Sequence, residues 1–262
     1  MTFNRQVIAA LTYPQLIETD LISEDAKRRV SFYLQRQSSP VGAYTTDSRG
    51  WSYAREAVAK YISNRDGVTA DPDRIYLTNG ASEGVRTCMT ALIRDSNDGV
   101  LCPIPQYPLY SALLTLNKAE LLPYYLQEST GWGLDKEGLE KMILESKRKG
   151  ITPRAIVVIN PGNPTGQVMR KEDLQDIIKL CYDHSILIMA DEVYQTNVYK
   201  DGSKFISMRQ ALHDLGEPYS DTVELVSFNS VSKGMMGECG LRGGYFETHN
   251  LSDEAEAMMF KL

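Results

Sequence analysis

The chain has 262 residues, with 28 Lys and Arg against 34 Asp and Glu, giving a formal charge of −6. Hydrophobic residues make up 42% and charged residues 24%, the balance of an ordinary folded domain, and the length allows one large domain or two small ones. The longest apolar runs, Ala155 to Ile159 among them, fall far short of the roughly 20 residues a membrane-crossing helix needs, and the acidic balance argues against a nucleic-acid surface.

Small molecules and proteins remain as partners. The four cysteines, Cys88, Cys102, Cys181 and Cys239, include no CxxC pair and do not make a disulfide scaffold. They read as small buried hydrophobes in a reducing compartment. The opening MTFNRQVIAALTYPQL lacks the charged, apolar and small-residue order of a signal peptide. The expected location is the cytoplasm, or the mitochondrion if a leader precedes this sequence.

In chain order, Ser23 reads as an N-cap for a helix reaching about Gln35. Trp51 to Asn64 reads as a second helix, with Ala54, Val58 and Tyr61 on one stripe. After Asp71-Pro72-Asp73 the period changes. Ile75–Thr78 is a short strand, followed by a helix from Ala81 to about Arg94. A strand at Val100–Cys102 leads to a helix from Pro108, and a strand at Ala155–Ile159 to a helix from Lys171 to Asp183. Ile186–Ala190 and Val223–Phe228 are further strands, with an ambiguous helix near Ser207–Leu215 between them. A last helix, Ser252–Leu262, is expected to expose Ala255, Met258, Met259 and Leu262.

The segments AIVVIN, ILIMAD and VELVSFN are continuously apolar, the mark of strands buried on both faces. Interleaved with helices, they indicate a three-layer α/β/α fold around a mostly parallel sheet. Ligands in such sheets sit beyond the carboxyl ends of the strands.

The residues just after each strand are therefore the informative ones. Thr78-Asn-Gly-Ala-Ser-Glu-Gly84 opens a helix. Gly80 and Gly84 would let backbone approach a ligand there, and N–H groups at a helix start attract phosphate. The same residues also suit a plain Asn-Gly turn. They also spell Gly80-x-Ser82-x-Gly84, a nucleophile elbow in the right strand–turn–helix setting. That reading makes Ser82 a nucleophile, with Asp191 and His213 or His249 as partners by order, and it leaves the other motifs idle.

The next strand end, Asn160-Pro-Gly-Asn-Pro-Thr-Gly166, is either a rigid turn or a mount holding the Asn163 amide in one orientation. Asp191 follows a buried strand, where a carboxylate is costly unless a cation meets it; an N-cap or an ion pair would also explain it. Lys233, in Asn229-Ser-Val-Ser-Lys-Gly234, stands where the sheet meets its cleft. Desolvation there should strip its charge and make it nucleophilic, unless it snorkels to solvent. Arg242 follows, flanked by glycines that leave room for an anion. Together these residues supply an anion cradle, a buried carboxylate, an amide, a phenol and a reactive lysine, the inventory that binds pyridoxal phosphate.

In the motifs GASEG, PIPQYPLY, NPGNPTGQ, ADEVYQ, SVSKG and GECGLRGGY, the sequence resembles the class I aminotransferases of pyridoxal-phosphate fold type I. Within that family it is most similar to the alanine aminotransferase branch. The resemblance implies that Lys233 binds the cofactor as an imine and shuttles the substrate proton, and that Asp191 pairs with the pyridine nitrogen. It implies that Asn163 and Tyr194 hold the phenolic oxygen and that Tyr107 stacks on the ring. It gives the phosphate to the backbone of Gly80, Ala81 and Ser82, with Ser230, Ser232 and Arg242. Tyr44 matches a tyrosine that reaches the partner subunit's phosphate, so a homodimer is expected. No metal is expected.

The implied reaction moves the amino group of L-alanine to 2-oxoglutarate, giving pyruvate and L-glutamate. Other expectations are an aromatic or kynurenine-type aminotransferase, an aminocyclopropane-carboxylate synthase, and a fragment that acts only by dimerising. The resemblance also divides the chain into an N-terminal helical arm (1–40) and a cofactor-binding large domain (41–262). The family's C-terminal small domain, with its carboxylate-gripping arginine, has no counterpart in these residues.

Overall fold

The computed structural model describes residues 2–37, 41–43 and 47–262. The N-terminal stretch pairs two helices, α1 (Thr2–Thr12) and α2 (Glu24–Leu34), around Val7, Ala10, Ile22, Ala26 and Val30. Helix α3 (Ser52–Asp66) ends at Gly67, whose φ of +71° caps the last turn in the left-handed region. It buries Tyr53, Arg55, Ala59 and Ile62. The stripe read from the sequence is thus only partly buried: Val58 packs against this cluster at the edge of an open cavity, and Tyr61 is exposed in that cavity.

Strand β1 (Ile75–Thr78) then leads through a sharp turn to α4 (Ala81–Leu92). There follow β2 (Asp98–Ile104), α5 (Leu109–Asn117), β3 (Glu120–Gln127), β4 (Gly133–Leu134), α6 (Lys136–Arg148) and β5 (Thr152–Ile159). Helix α7 (Lys171–His184), β6 (Leu187–Asp191), α8 (Met208–Leu215) and the single turn α9 (Tyr219–Thr222) lead to β7 (Leu225–Ser230). Strand β8 (Gly244–His249) and α10 (Asp253–Lys261) complete the order.

The strands form one sheet in the order β1-β8-β7-β6-β5-β2-β3-β4. Strands β3, β2, β5, β6 and β7 pair in parallel; β8 is antiparallel to both β7 and β1, and β4 to β3. One face packs on α4, α5 and α10 through Met89, Tyr110, Phe228 and Phe246. The other packs on α6, α7 and α8 through Ile143, Leu174, Ile178 and Leu212. Each fully buried Ile, Leu or Phe contributes about 1.5–3 kcal/mol, so the two faces hold the sheet rigid beneath the loops at its edge. The three-layer α/β/α arrangement is the expected one.

Local expectations fared unevenly. Gly84 does not meet a ligand: a Cβ there would press on Phe246 at 3.0 Å and Phe228 at 3.3 Å, so this glycine lets α4 lie close to the sheet. In α10, Met259 is buried in the core while Met258 and Leu262 are exposed. Cys88, Cys102 and Cys181 are buried as expected, but Cys239 is exposed. Among the described residues no helix is long and apolar enough to cross a membrane.

Candidate active site

The carboxyl ends of β1, β2, β5, β6 and β7 lie along one edge of the sheet. Because β8 runs backwards, its start, after Arg242, reaches the same edge. Of the residues the sequence assigned to the cofactor, all but Gly80 and Tyr44 line one cavity of about 100 Å³. Tyr44 lies outside the described residues.

Asp191 ends β6 and is 7% exposed. Among the described residues no cation forms an ion pair with it, contrary to the ion-pair reading. Tyr110, wholly buried on α5, donates its phenolic hydrogen to Asp191 Oδ2 at 2.6 Å, and the Val193 N–H reaches Oδ1 at 3.3 Å. Burial pushes the Asp191 carboxyl up, opposed by the Tyr110 and Val193 hydrogen bonds and by the charge of Lys233. Tyr110 itself is pushed well up by burial and by Asp191, so it remains a donor. The sequence reading missed Tyr110, although it lies three residues beyond Tyr107 in the same motif; Tyr107 precedes α5 and Tyr110 stands in its first turn.

Lys233 lies in the turn after β7, with Nζ 5.3 Å from the centre of the Tyr194 ring. The expected loss of charge is not seen. Lys233 is exposed, and a hydrogen bond to the Tyr194 phenol raises its pKa against a smaller desolvation effect. In the chain alone it is a stabilised cation. Asn163 Nδ2 donates to the same phenol at 3.4 Å, so the 160–166 loop does mount this amide toward Tyr194. The loop is fixed at Asn160, whose Oδ1 accepts the Met169 N–H at 2.9 Å and whose Nδ2 reaches the Ile206 carbonyl at 3.2 Å. Tyr107 is exposed at the cavity mouth.

The anion cradle is built around the turn between β1 and α4. Ala81 and Ser82 are the first residues of α4, so their N–H groups have no acceptor within the helix. Gly80 has φ +81° and spends its N–H on the Thr78 carbonyl at 2.9 Å. Its role is to lack a Cβ: one would collide with the Arg242 guanidinium. Arg242 Nη2 donates to the Asn79 carbonyl and Nη1 to the Cys239 carbonyl, each at 2.8 Å, which holds the cation over the helix start. Gly244 serves the turn rather than an anion, since a Cβ there would meet the Gly80 and Ala81 backbone at 2.7 Å. Ser230 and Ser232 complete the rim, with the Ser232 N–H on Ser230 Oγ at 3.2 Å.

No histidine lines the Ser82 cavity. His213 is paired with Asp214 elsewhere, and His249 lies at the far end of β8, opposite Leu225 at the start of β7. The hydrolase reading therefore has no base.

Behind the site, the residue after Asp191 carries a buried ion pair. Glu192 Oε2 lies 3.3 Å from Arg65, and its Oε1 accepts the Met208 N–H at 2.8 Å. Burial pushes Glu192 up to about 7 despite Arg65. Beyond Lys233 opens a second, largely apolar cavity of about 650 Å³ lined by Val58, Tyr61, Gln195, Met236 and Tyr245.

The donor set fits pyridoxal phosphate. It combines cation, hydroxyls and a helix start for a dianion, with a buried carboxyl and a lysine lining the same cavity and a phenol beside the lysine. These features define an α/β transferase architecture with its cleft at the strand ends.

The family model for "Aminotransferase class I and II" matches residues 19–257, and the chain belongs to that family. It is 46% identical over 266 residues to glutamate–glyoxylate aminotransferase 1 of Arabidopsis thaliana, covering 100% of this chain and 55% of that protein. To alanine aminotransferase 1 of Mus musculus it is 45% identical over 267 residues, covering 100% of this chain and 53% of that one. The solved alanine aminotransferase of Pyrococcus furiosus superposes with a TM-score of 0.71 at 26% identity, over 83% of this chain and 52% of its own. The chain thus spans about half the length of the curated relatives it matches.

Proposed function

We propose that residues 41–262 form the cofactor-binding large domain, after an N-terminal helical arm (1–40), of a pyridoxal-phosphate-dependent aminotransferase that takes the amino group from L-alanine and delivers it to 2-oxoglutarate. The observation that carries this reading is the opposition of Lys233 and buried Asp191 across one cavity, with Tyr194 hydrogen-bonded to the lysine and an anion cradle at its rim.

Pyridoxal phosphate, when bound, supplies an aldehyde for a lysine and a ring that withdraws electrons when its nitrogen is protonated. This chain's residues do the rest. Ala81, Ser82, Ser230, Ser232 and Arg242 bind the phosphate. Asp191 holds a proton at the ring nitrogen, its own oxygens fixed by Tyr110 and Val193. Tyr107 covers the ring face. Asn163 and Tyr194 hydrogen-bond the phenolic oxygen. Lys233, whose amine stands beside the Tyr194 phenol, would bind the aldehyde and would be the base that moves the substrate α-proton. Such electrostatic arrangement is the usual main source of rate enhancement. The names of the relatives point to alanine and to glutamate with glyoxylate as substrates, so both pairs belong in the assay. A homodimer in which Tyr44 reaches the partner's phosphate, and a cytoplasmic location, complete the proposal.

The test is spectral and chemical. The protein mixed with pyridoxal phosphate should gain a visible band that borohydride bleaches, with mass spectrometry placing the pyridoxyl adduct on Lys233 and Lys233→Ala abolishing it. An adduct on another side chain, or none, overturns the reading. Pyruvate formation from alanine and 2-oxoglutarate, compared with glyoxylate as acceptor, then decides the substrates.

A further inference from the structure

The loop after β6 carries more than Tyr194. The Asn197 N–H bonds the Tyr194 carbonyl at 2.7 Å, closing a tight turn that places the two side chains side by side. Asn197 Oδ1 accepts the N–H of Gly234 at 3.1 Å, on the residue following the lysine. Its Nδ2 donates to the Tyr199 phenol at 2.7 Å, which fixes which end of the amide faces Gly234. Gly234 has φ +62°, and a Cβ there would collide with Thr196 Oγ1, so the side chains of Thr196 and Asn197 both sit against the Gly234 backbone. The loop is tied to α3 through Gln195 Oε1, which accepts from Tyr61 at 3.0 Å and from Arg65 at 2.9 Å.

We infer that Asn197 is a positioning residue for Lys233: it grips the Gly234 peptide while Tyr194, on the same turn, grips the amine, so that one loop sets both the backbone and the head of the reactive lysine. This rests on the cofactor reading above and deepens it. Tyr194 alone can hold the amine in many backbone settings. The Asn197–Gly234 bond removes that freedom, fixing where Nζ stands relative to Asp191 before an aldehyde arrives. Attack by the amine on an aldehyde, with loss of water, is sensitive to such placement. Simple docking of a phosphate-bearing ring is not.

Two probes separate these steps. Pyridoxamine 5′-phosphate carries an amine in place of the aldehyde and cannot condense with Lys233, so it reports docking alone. Pyridoxal phosphate reports docking and condensation together. Asn197→Leu removes the acceptor at similar size, Asn197→Asp keeps it, and Tyr199→Phe frees the amide to turn over. For Asn197→Leu, pyridoxamine 5′-phosphate affinity should stay within about twofold while the rate of imine formation falls about tenfold, the weight of one net hydrogen bond. Asn197→Asp should restore the rate, and Tyr199→Phe should lose part of it with the melting temperature of the cofactor-free chain unchanged.

A wild-type rate in both Asn197→Leu and Tyr199→Phe overturns the inference. So does a parallel loss of pyridoxamine 5′-phosphate affinity, rate and melting temperature, which would mark a merely structural contact. Should Asn197→Leu fail to fold, Tyr199→Phe decides. If wild type forms no adduct on Lys233, the cofactor reading itself fails. If wild type forms it and the variants match, only the positioning role is lost.

Discussion

Tyr110 Oη and Asp191 Oδ2 are 2.6 Å apart, joining α5 to the end of β6 inside the sheet's core. The phenol is the strongest opponent of the burial that pushes Asp191 up. A hydrogen bond to a charged group is worth about 1.5–3 kcal/mol, so Tyr110→Phe should shift Asp191 further toward its neutral form by tenfold or more. The expected outcome is weaker cofactor binding, with the loss growing as pH falls below neutrality, read by titrating the visible band from pH 6 to pH 9. An affinity equal to wild type across that range would show that Asp191 does not depend on its partner.

The contact between Gly80 and Arg242 gives a second prediction. Gly80→Ala faces two penalties: an extended backbone at positive φ that is nearly confined to glycine, costing about 1–3 kcal/mol, and a methyl group driven into the guanidinium. Gly216→Ala carries the first without the second, since its backbone lies in the same region (φ +71°, ψ −170°) and nothing lies within 4 Å of its Cβ. The excess destabilisation of Gly80→Ala over Gly216→Ala in denaturant melts measures the arginine contact. Gly80→Ala should also abolish the thermal protection given by inorganic phosphate, as should Arg242→Ala, whereas Gly216→Ala should keep it.

Much of this was readable in the sequence, for definite reasons. Strands β5, β6 and β7 are buried on both faces, so their apolar runs are unbroken, and the residues that end them fall in the cleft. Strand β8 was missed because its buried stretch includes Glu247 and Thr248, on opposite faces, which break the apolar run; Arg209 meets that carboxylate at 3.1 Å. Strand β3 contains Pro123, which reads as a breaker. It is tolerated because beyond β3 lies only the two-residue β4, paired at Leu126 and Gln127, so the missing N–H faces no partner. The charge of Lys233 was misjudged for another reason. A lysine at a buried strand end suggests desolvation, but its exposure and its phenol partner are set by loops whose paths no local pattern reveals.

The cysteines allow a simple probe of the cavity. Burial pushes Cys102 up to about 12 and raises Cys88 and Cys181 further, so none of these three should react in the folded chain. Cys239 is exposed and lines the same cavity as Lys233, with Sγ 3.8 Å from Arg242 Nη1. Iodoacetamide should label Cys239 first, and pyridoxal phosphate should slow that labelling. Labelling of a buried cysteine at a comparable rate, without denaturant, would contradict the packing described above.

The buried acids behind the site predict how stability depends on pH. Burial raises Glu192 and Glu247 to about 7 from an ordinary value of 4.5, although Arg65 and Arg209 pull the other way. Desolvation wins over the ion pairs because both carboxylates are almost wholly enclosed. Between pH 4.5 and 7 the folded chain then holds protons that the unfolded chain has released. Their contribution to stability is complete below pH 4.5 and is lost as pH rises to about 7. Asp191, also raised, acts in the same direction; His184 and His249, lowered from 6.5 by burial, oppose it within this window, and Asp47, lowered by Arg49, opposes it only in more acid solution. Each unit of separation is worth about 1.4 kcal/mol per group, enough to be seen in urea unfolding at fixed pH values. Glu192→Gln keeps an acceptor for the Met208 N–H and removes one titration, so it should flatten the fall, and Glu192→Gln with Glu247→Gln should flatten it more. A double-variant profile that runs parallel to that of wild type from pH 5 to pH 7 would show that the arginines, not the enclosure, set the charge of these two acids.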